Sequence, residues 1–227
     1  MLASGNTSGR AARGPAGSAL ASANGTWFLW PVAAQSVAVG LTSLKPPLAP
    51  ALTSLAVACW AVGLVLYLLV AALVAAMLFA VPVRPGELTP AYWVFMGASA
   101  ITVLAGAQIL RLPPGPLLAA VHALVAGSSV VLWAFGTWLI PLLVILGIWR
   151  HVMNGVPLAY DAAWWSIAFP VGMYGVASHE LGATLDVLWL VSLGRDEAWP
   201  ALAVWALVFA AMIVAFLRRL RTKPADE

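Results

Sequence analysis

Charge is what this sequence has least of. Of its 227 residues 8% are charged and 63% apolar, with a mean hydropathy of +0.97, whereas soluble domains carry about 25% charged residues. Water is therefore not the main solvent of the fold. No Asp, Glu, Lys or Arg falls near the middle of a long apolar stretch, which argues against the proton relays and ion-coupled sites that need an intramembrane ionisable group. Cysteine occurs once, at Cys59 inside an apolar run, so an intrachain disulfide and a cysteine-based zinc site are both excluded. His122, His151 and His179 sit on three separate segments, and His179-Glu180 is followed by Ala183 where an H-E-x-x-H site needs its second histidine. A P-loop, a dinucleotide glycine fingerprint and a G-x-S-x-G elbow are likewise missing. No metal, no cofactor and no enzymatic activity are expected.

What the chain has instead is length in apolar runs. A helix crossing a bilayer core of about 30 Å needs about 20 mostly apolar residues, because lipid offers no partner for a free backbone N–H or C=O. Six stretches meet this, at 26–44, 52–81, 91–110, 116–148, 162–178 and 200–217. The alternation of barrel strands is absent, so the class is an all-α integral membrane protein of six transmembrane helices, arranged as three helical hairpins. The second and fourth runs exceed one perpendicular crossing and must tilt, kink or project. The piece 181–193 is too short and polar to span and reads as re-entrant or interfacial. Residues 1–25 read as a flexible tail, and 218–227 as a basic-then-acidic tail.

Six crossings put both termini on one side and sort the eleven Lys and Arg residues unevenly. Arg10, Arg13, Arg84, Arg150, Arg218, Arg219, Arg221 and Lys223 fall on the terminal side, and Lys45, Arg111 and Arg195 on the other. By the positive-inside rule both termini are cytoplasmic in a cell membrane. The net charge of +3 thus serves anionic headgroups, not nucleic acid.

The odd spans open with aromatics: Trp27, Phe28 and Trp30; Tyr92, Trp93 and Phe95; Trp164, Trp165 and Phe169. Either helical hairpins of about 65 to 70 residues repeat, or these rings anchor one membrane interface. Interior prolines at Pro31, Pro141 and Pro170 each remove an intrahelical bond and predict kinks; at Pro170 the carbonyl of Ser166 is the one released. Uncharged polar residues within the spans, Gln35, Ser36, Thr102, Gln108 and Ser166, are candidates to line a water-filled path, with interhelical hydrogen bonding as the competing role. Phe169, beside Pro170, is read either as a hydrophobic gate or as ordinary packing.

The segments TWFLWPVAAQSVAVG (26–40), YWVFMGASAITVLAG (92–106), LWAFGTWLIPLLVILGIWRH (132–151) and AFPVGMYGVASHEL (168–181) together resemble the tellurite-resistance/C4-dicarboxylate transporter family, also called TehA-like, which includes the slow anion channels of plant guard cells. The resemblance implies a ten-helix fold of five hairpins whose odd helices line a pore, and this chain corresponds to its last six. It implies that Phe169, preceding Pro170, occludes the pore. It also implies an anion channel or transporter for tellurite, C4-dicarboxylates or small inorganic anions, truncated relative to the family. Partners would be the lipid bilayer, small anions, and either missing N-terminal helices or a homotrimer. The rival expectation is a non-conducting membrane subunit or degenerate remnant associating through small-residue helix faces.

Overall fold

The computed structural model describes residues 25–44, 49–80 and 84–222. The tail 1–25 lies outside them except for Gly25, as do Lys45, Val81 and the end of the chain from Lys223. Among the described residues there are seven α-helices and no strand: α1 (Leu29–Thr42), α2 (Pro50–Ala80), α3 (Trp93–Leu110), α4 (Pro116–Ile148), α5 (Trp165–Thr184), α6 (Leu188–Asp196) and α7 (Ala198–Thr222). The starts follow from local chemistry. Pro50 and Pro116 open α2 and α4, where a missing amide costs nothing, and 3-10 turns at Gly25–Phe28, Pro90–Tyr92 and Ala162–Trp164 lead into α1, α3 and α5.

Among the described residues four stretches are long and apolar enough to cross a membrane: Pro50–Ala80, Pro90–Leu110, Pro116–Met153 and Leu188–Arg221. They belong to α2, α3, α4 and the joined α6–α7. Two expected spans fall short of that measure by themselves. Helix α1 has only 14 residues, and α5 carries serine, histidine and glutamate among its apolar residues. Both pack on α3. The three hairpins are present as α1–α2, α3–α4 and α5 with α6–α7, each pair in direct contact.

Helix α3 is the centre. It packs against α1, α2, α4 and α5, and 78% of its apolar window is buried, against 22% for each of the spans of α2 and α4 and 6% for that of α6–α7. The reason is in its sequence: Gly97, Ala98, Ser99, Ala100, Ala105, Gly106 and Ala107 are all buried, and small side chains let neighbouring backbones approach closely. An aromatic row crosses the bundle beside it. Phe28 stacks on Phe95 at 4.4 Å between ring centroids, Tyr67 leans on both, and Phe135 meets Phe95 at 5.6 Å. Two of the rings that open the odd spans thus pack on one another, while Trp30 stays 71% exposed.

The structure corrects three local expectations. The piece 181–193 is divided between two helices: it completes α5, turns at Leu185–Val187 with Asp186 at φ 57°, and runs back along α5 as α6. The last arm therefore begins at Leu188, ahead of the expected 200. Pro31 is not a kink, because it falls in the first turn of α1, where amides have no α-helical partner. Pro141 and Pro170 do lie inside helices, and both helices continue through them.

The α5–α6 turn rests on glycine. A Cβ at Gly194 would stand 2.3 Å from the His179 backbone nitrogen and 2.5 Å from the Gly175 carbonyl oxygen, and one at Gly182 would stand 2.6 Å from the Val191 nitrogen. Backbone cannot yield as a side chain does. Gly194→Ala is therefore expected to lower stability in detergent by about 1–3 kcal/mol. Gly127→Ala, whose Cβ meets nothing within 4 Å, should be neutral or slightly stabilising; thermal melts of the two variants check the contrast.

Candidate functional site

Helices α3 and α5 run side by side in the same direction, since Gly97 faces Pro170 near their starts and Arg111 pairs with Glu180 near their ends. At the first contact a Cβ on Gly97 would lie 2.8 Å from Pro170 Cγ and 3.1 Å from Phe169 Cε1. Pro170 is buried in that seat. Phe169 stands beside it, 39% exposed, with its ring edge against α3. Ser166, one turn earlier, is half-buried. The position of the Phe169 backbone is thus set by a contact that any side chain at position 97 would obstruct.

The other polar candidates separate into two groups. Gln35 is fully buried and donates from Nε2 to the Trp60 carbonyl at 3.1 Å, and a Cβ at Gly63 would collide with the Gln35 amide. Trp60 Nε1 in turn donates to the Thr102 carbonyl at 3.2 Å, and Thr102 Oγ1 donates to Ala98 O at 2.7 Å. Gln35 and Thr102 are therefore joined through Trp60 across α1, α2 and α3. Gln108 accepts from Thr42 Oγ1 at 2.7 Å, tying α3 to the end of α1. Gln35 and Gln108 tie helices through their side chains, whereas Thr102 offers its backbone carbonyl and turns its hydroxyl back into α3. Ser36 is different: it is exposed on α1 and returns its hydroxyl to Val32 O at 2.8 Å, within the open stripe of Trp30, Ala33, Val37 and Gly40.

Several contacts that hold α5 in place went unread in the sequence. Trp133 Nε1 donates to Ser178 Oγ at 2.9 Å, and the Thr137 and Tyr174 hydroxyls share a hydrogen bond at 2.8 Å, both linking α4 to α5. Arg111 at the end of α3 binds the Glu180 carboxylate, and Thr184 Oγ1 reaches the Ala107 carbonyl at 3.4 Å. A tryptophan deep in a span, as Trp60 and Trp133 are, is the one signal that pointed to them, because an indole N–H removed from the interface needs an acceptor inside. Among the described residues no cluster of His, Cys, Asp or Glu is suited to a metal ion.

This architecture agrees with a sequence comparison in which the family described as voltage-dependent anion channel matches residues 12–213. The chain belongs to that family. It is the family that the four quoted segments resemble, and the match extends through all three hairpins. An uncharacterized membrane protein of Mycobacterium tuberculosis (strain CDC 1551 / Oshkosh) is 53% identical over 148 residues, covering 65% of this chain and 75% of its own length. Its counterpart in strain ATCC 25618 / H37Rv is equally similar. An uncharacterized transporter of Methanocaldococcus jannaschii is 23% identical over 160 residues, 69% of this chain but 45% of the archaeal protein. No solved structure matches. Family membership and the apolar helices together make this a multi-pass membrane protein.

The Arg111–Glu180 pair is partly exposed, with side chains 42% and 25% accessible, so its contribution is small. A double-mutant cycle on Arg111→Gln and Glu180→Gln should give a coupling of about 1 kcal/mol or less. Trp133→Phe, which leaves the buried Ser178 hydroxyl without its indole donor, should cost about as much or more; thermal unfolding in detergent measures both.

Proposed function

We propose that this chain forms part of the wall of an anion-conducting path across the cell membrane, with Phe169 as its gate. The observation that carries the reading is the exposure of Phe169 beside a proline seated on Gly97. A bulky apolar ring held at a fixed place on an inner helix blocks a hydrated ion by refusing to solvate it, and admits the ion when the ring turns aside. Family membership supports conduction without chemistry. Helices α1, α3 and α5 are the inner set in this reading, with Ser36 and Ser166 as the polar groups nearest the path, while Gln35, Thr102 and Gln108 keep the wall rigid. The remaining wall comes from further helices, supplied by a preceding segment or by another chain.

Small inorganic anions such as chloride and nitrate suit this path best, with tellurite and C4-dicarboxylates as larger candidates. Helix α5 itself carries no Lys or Arg, so selection rests on width, on backbone dipoles such as the Ser166 carbonyl region freed by Pro170, and on the ease of shedding water. Weak discrimination among monovalent anions follows. Both termini are placed on the cytoplasmic side by the excess of Arg there. A second reading, a non-conducting membrane subunit, draws on the tie role of Gln35, Thr102 and Gln108 and on the broad apolar faces of α6–α7.

Flux into proteoliposomes under a valinomycin-set potential tests the proposal, using this chain and a version extended to ten helices. Phe169→Ala is expected to raise chloride and nitrate flux several-fold in whichever form conducts. Unchanged flux removes Phe169 as the gate, and silence of both forms favours the non-conducting subunit.

A further inference from the structure

At the end of the bundle where α4 stops and α3 and α5 begin, a cavity of about 370 Å³ opens between the three helices. Its walls are almost wholly apolar, formed by Trp93, Leu143, Gly147, Trp164 and Ile167 among others, and its one cation is Arg150. Arg150 lies on an uncommon piece of backbone. The last turn of α4 widens into a π-helix over Trp149–Met153, a form that recurs at functional sites because it re-aims side chains. Asn154 Nδ2 donates to the Trp149 carbonyl at 2.8 Å and fixes the turn.

The guanidinium is only partly satisfied. One Nη donates to the Leu88 carbonyl, while Nε is buried and has no hydrogen-bond partner. The acidic side chains of the adjoining turns, Glu87 and Asp161, form no ion pair with it, and Asp161 is engaged with the Ala163 amide at 2.8 Å. His151 shares the cavity wall but is already engaged, with Nδ1 hydrogen-bonded to the Val156 carbonyl at 2.8 Å and its ring stacked on Trp164. A buried donor without an acceptor is costly, and an arginine fork matches the oxygens of a phosphate bidentately.

We propose that this cavity is a binding site for one anionic phospholipid, its phosphate on Arg150 and the upper part of an acyl chain against Gly147, Leu143 and Ile167. The shape argues for an amphiphile: a free phosphate would use the arginine and leave the apolar wall open, and a neutral lipid would leave the guanidinium without its counter-charge. The place argues for a bilayer lipid, since the site sits at the end of a membrane-spanning helix, where headgroups lie. Gly147 is the residue that makes room, as a Cβ there meets nothing within 4 Å.

The test is native mass spectrometry of the full chain in neutral detergent, titrated with phosphatidylglycerol, phosphatidylcholine or glycerol phosphate. The protein is expected to retain one phosphatidylglycerol with a preference of about fivefold or more over phosphatidylcholine. Arg150→Gln should bring the two lipids near parity. Gly147→Leu, which fills the chain groove and leaves the Arg150 contacts intact, should weaken both lipids several-fold and keep the preference. Arg221→Gln, on an exposed arginine near the end of α7, should change neither. Wild-type retention by Gly147→Leu overturns the site even if Arg150→Gln fails to fold. Persistence of the preference in Arg150→Gln overturns the headgroup assignment, and competition by glycerol phosphate as strong as that by phosphatidylglycerol reassigns the arginine to a free phosphate and overturns the lipid.

Discussion

Within a bilayer an apolar side chain gains nothing by leaving lipid for another helix, so association must come from close van der Waals contact and shared hydrogen bonds. Helix α3 supplies both. Its glycines and alanines bring four neighbouring helices to its backbone, and its Thr102 carbonyl receives the indole of Trp60, whose own backbone carbonyl holds Gln35. Were α3 lined with leucine, α1 and α5 would stand farther off, and neither is both long and apolar enough to hold a transmembrane position alone.

The same closeness locates the gate candidate. Pro170 removes an amide from α5, which by itself would loosen the helix, yet the ring fits the space that Gly97 leaves empty. The proline is thereby a packing element, and the residue before it inherits a defined position. Elsewhere α5 is held by Trp133 and Thr137 of α4 and by the glycine contacts with α6. Phe169 thus projects from a helix fixed on two sides, and side-chain rotation is the movement most readily open to it.

The apolar runs and the prolines that head them made the helices legible, and the three hairpins followed from their order. Centrality was not legible from hydropathy, because the ranking runs the other way: the three more exposed spans are the more apolar, whereas the buried α3 is the least apolar of the four. A helix wrapped by protein can spend more of its positions on small and weakly polar residues, as α3 does with Gly97, Ser99, Thr102 and Gly106. Helix α6 was hidden for a related reason, since 181–193 is short and polar as a span, and only the contacts of Gly182 and Gly194 show two helices meeting there. Gln35 and Thr102 look the same in sequence whether they face water or another helix; both are buried, Gln35 donating to the Trp60 carbonyl and Thr102 back to Ala98 within α3. Phe169 was picked out by its place before Pro170 and by the family resemblance, but its seat on Gly97 depends on a contact between segments more than seventy residues apart, which no local pattern records.

The proposed gate implies one division, with Phe169 and Ser36 at an aqueous path and Gln35 and Thr102 closed inside helix contacts. Single cysteines introduced in a Cys59→Ala background of the form that conducts measure it directly, through their rate of reaction with a membrane-impermeant thiol reagent. The account predicts rapid modification of Phe169→Cys and Ser36→Cys, with little or none of Gln35→Cys and Thr102→Cys. Rapid modification of the Gln35 and Thr102 positions together with an inert Phe169 position would contradict it.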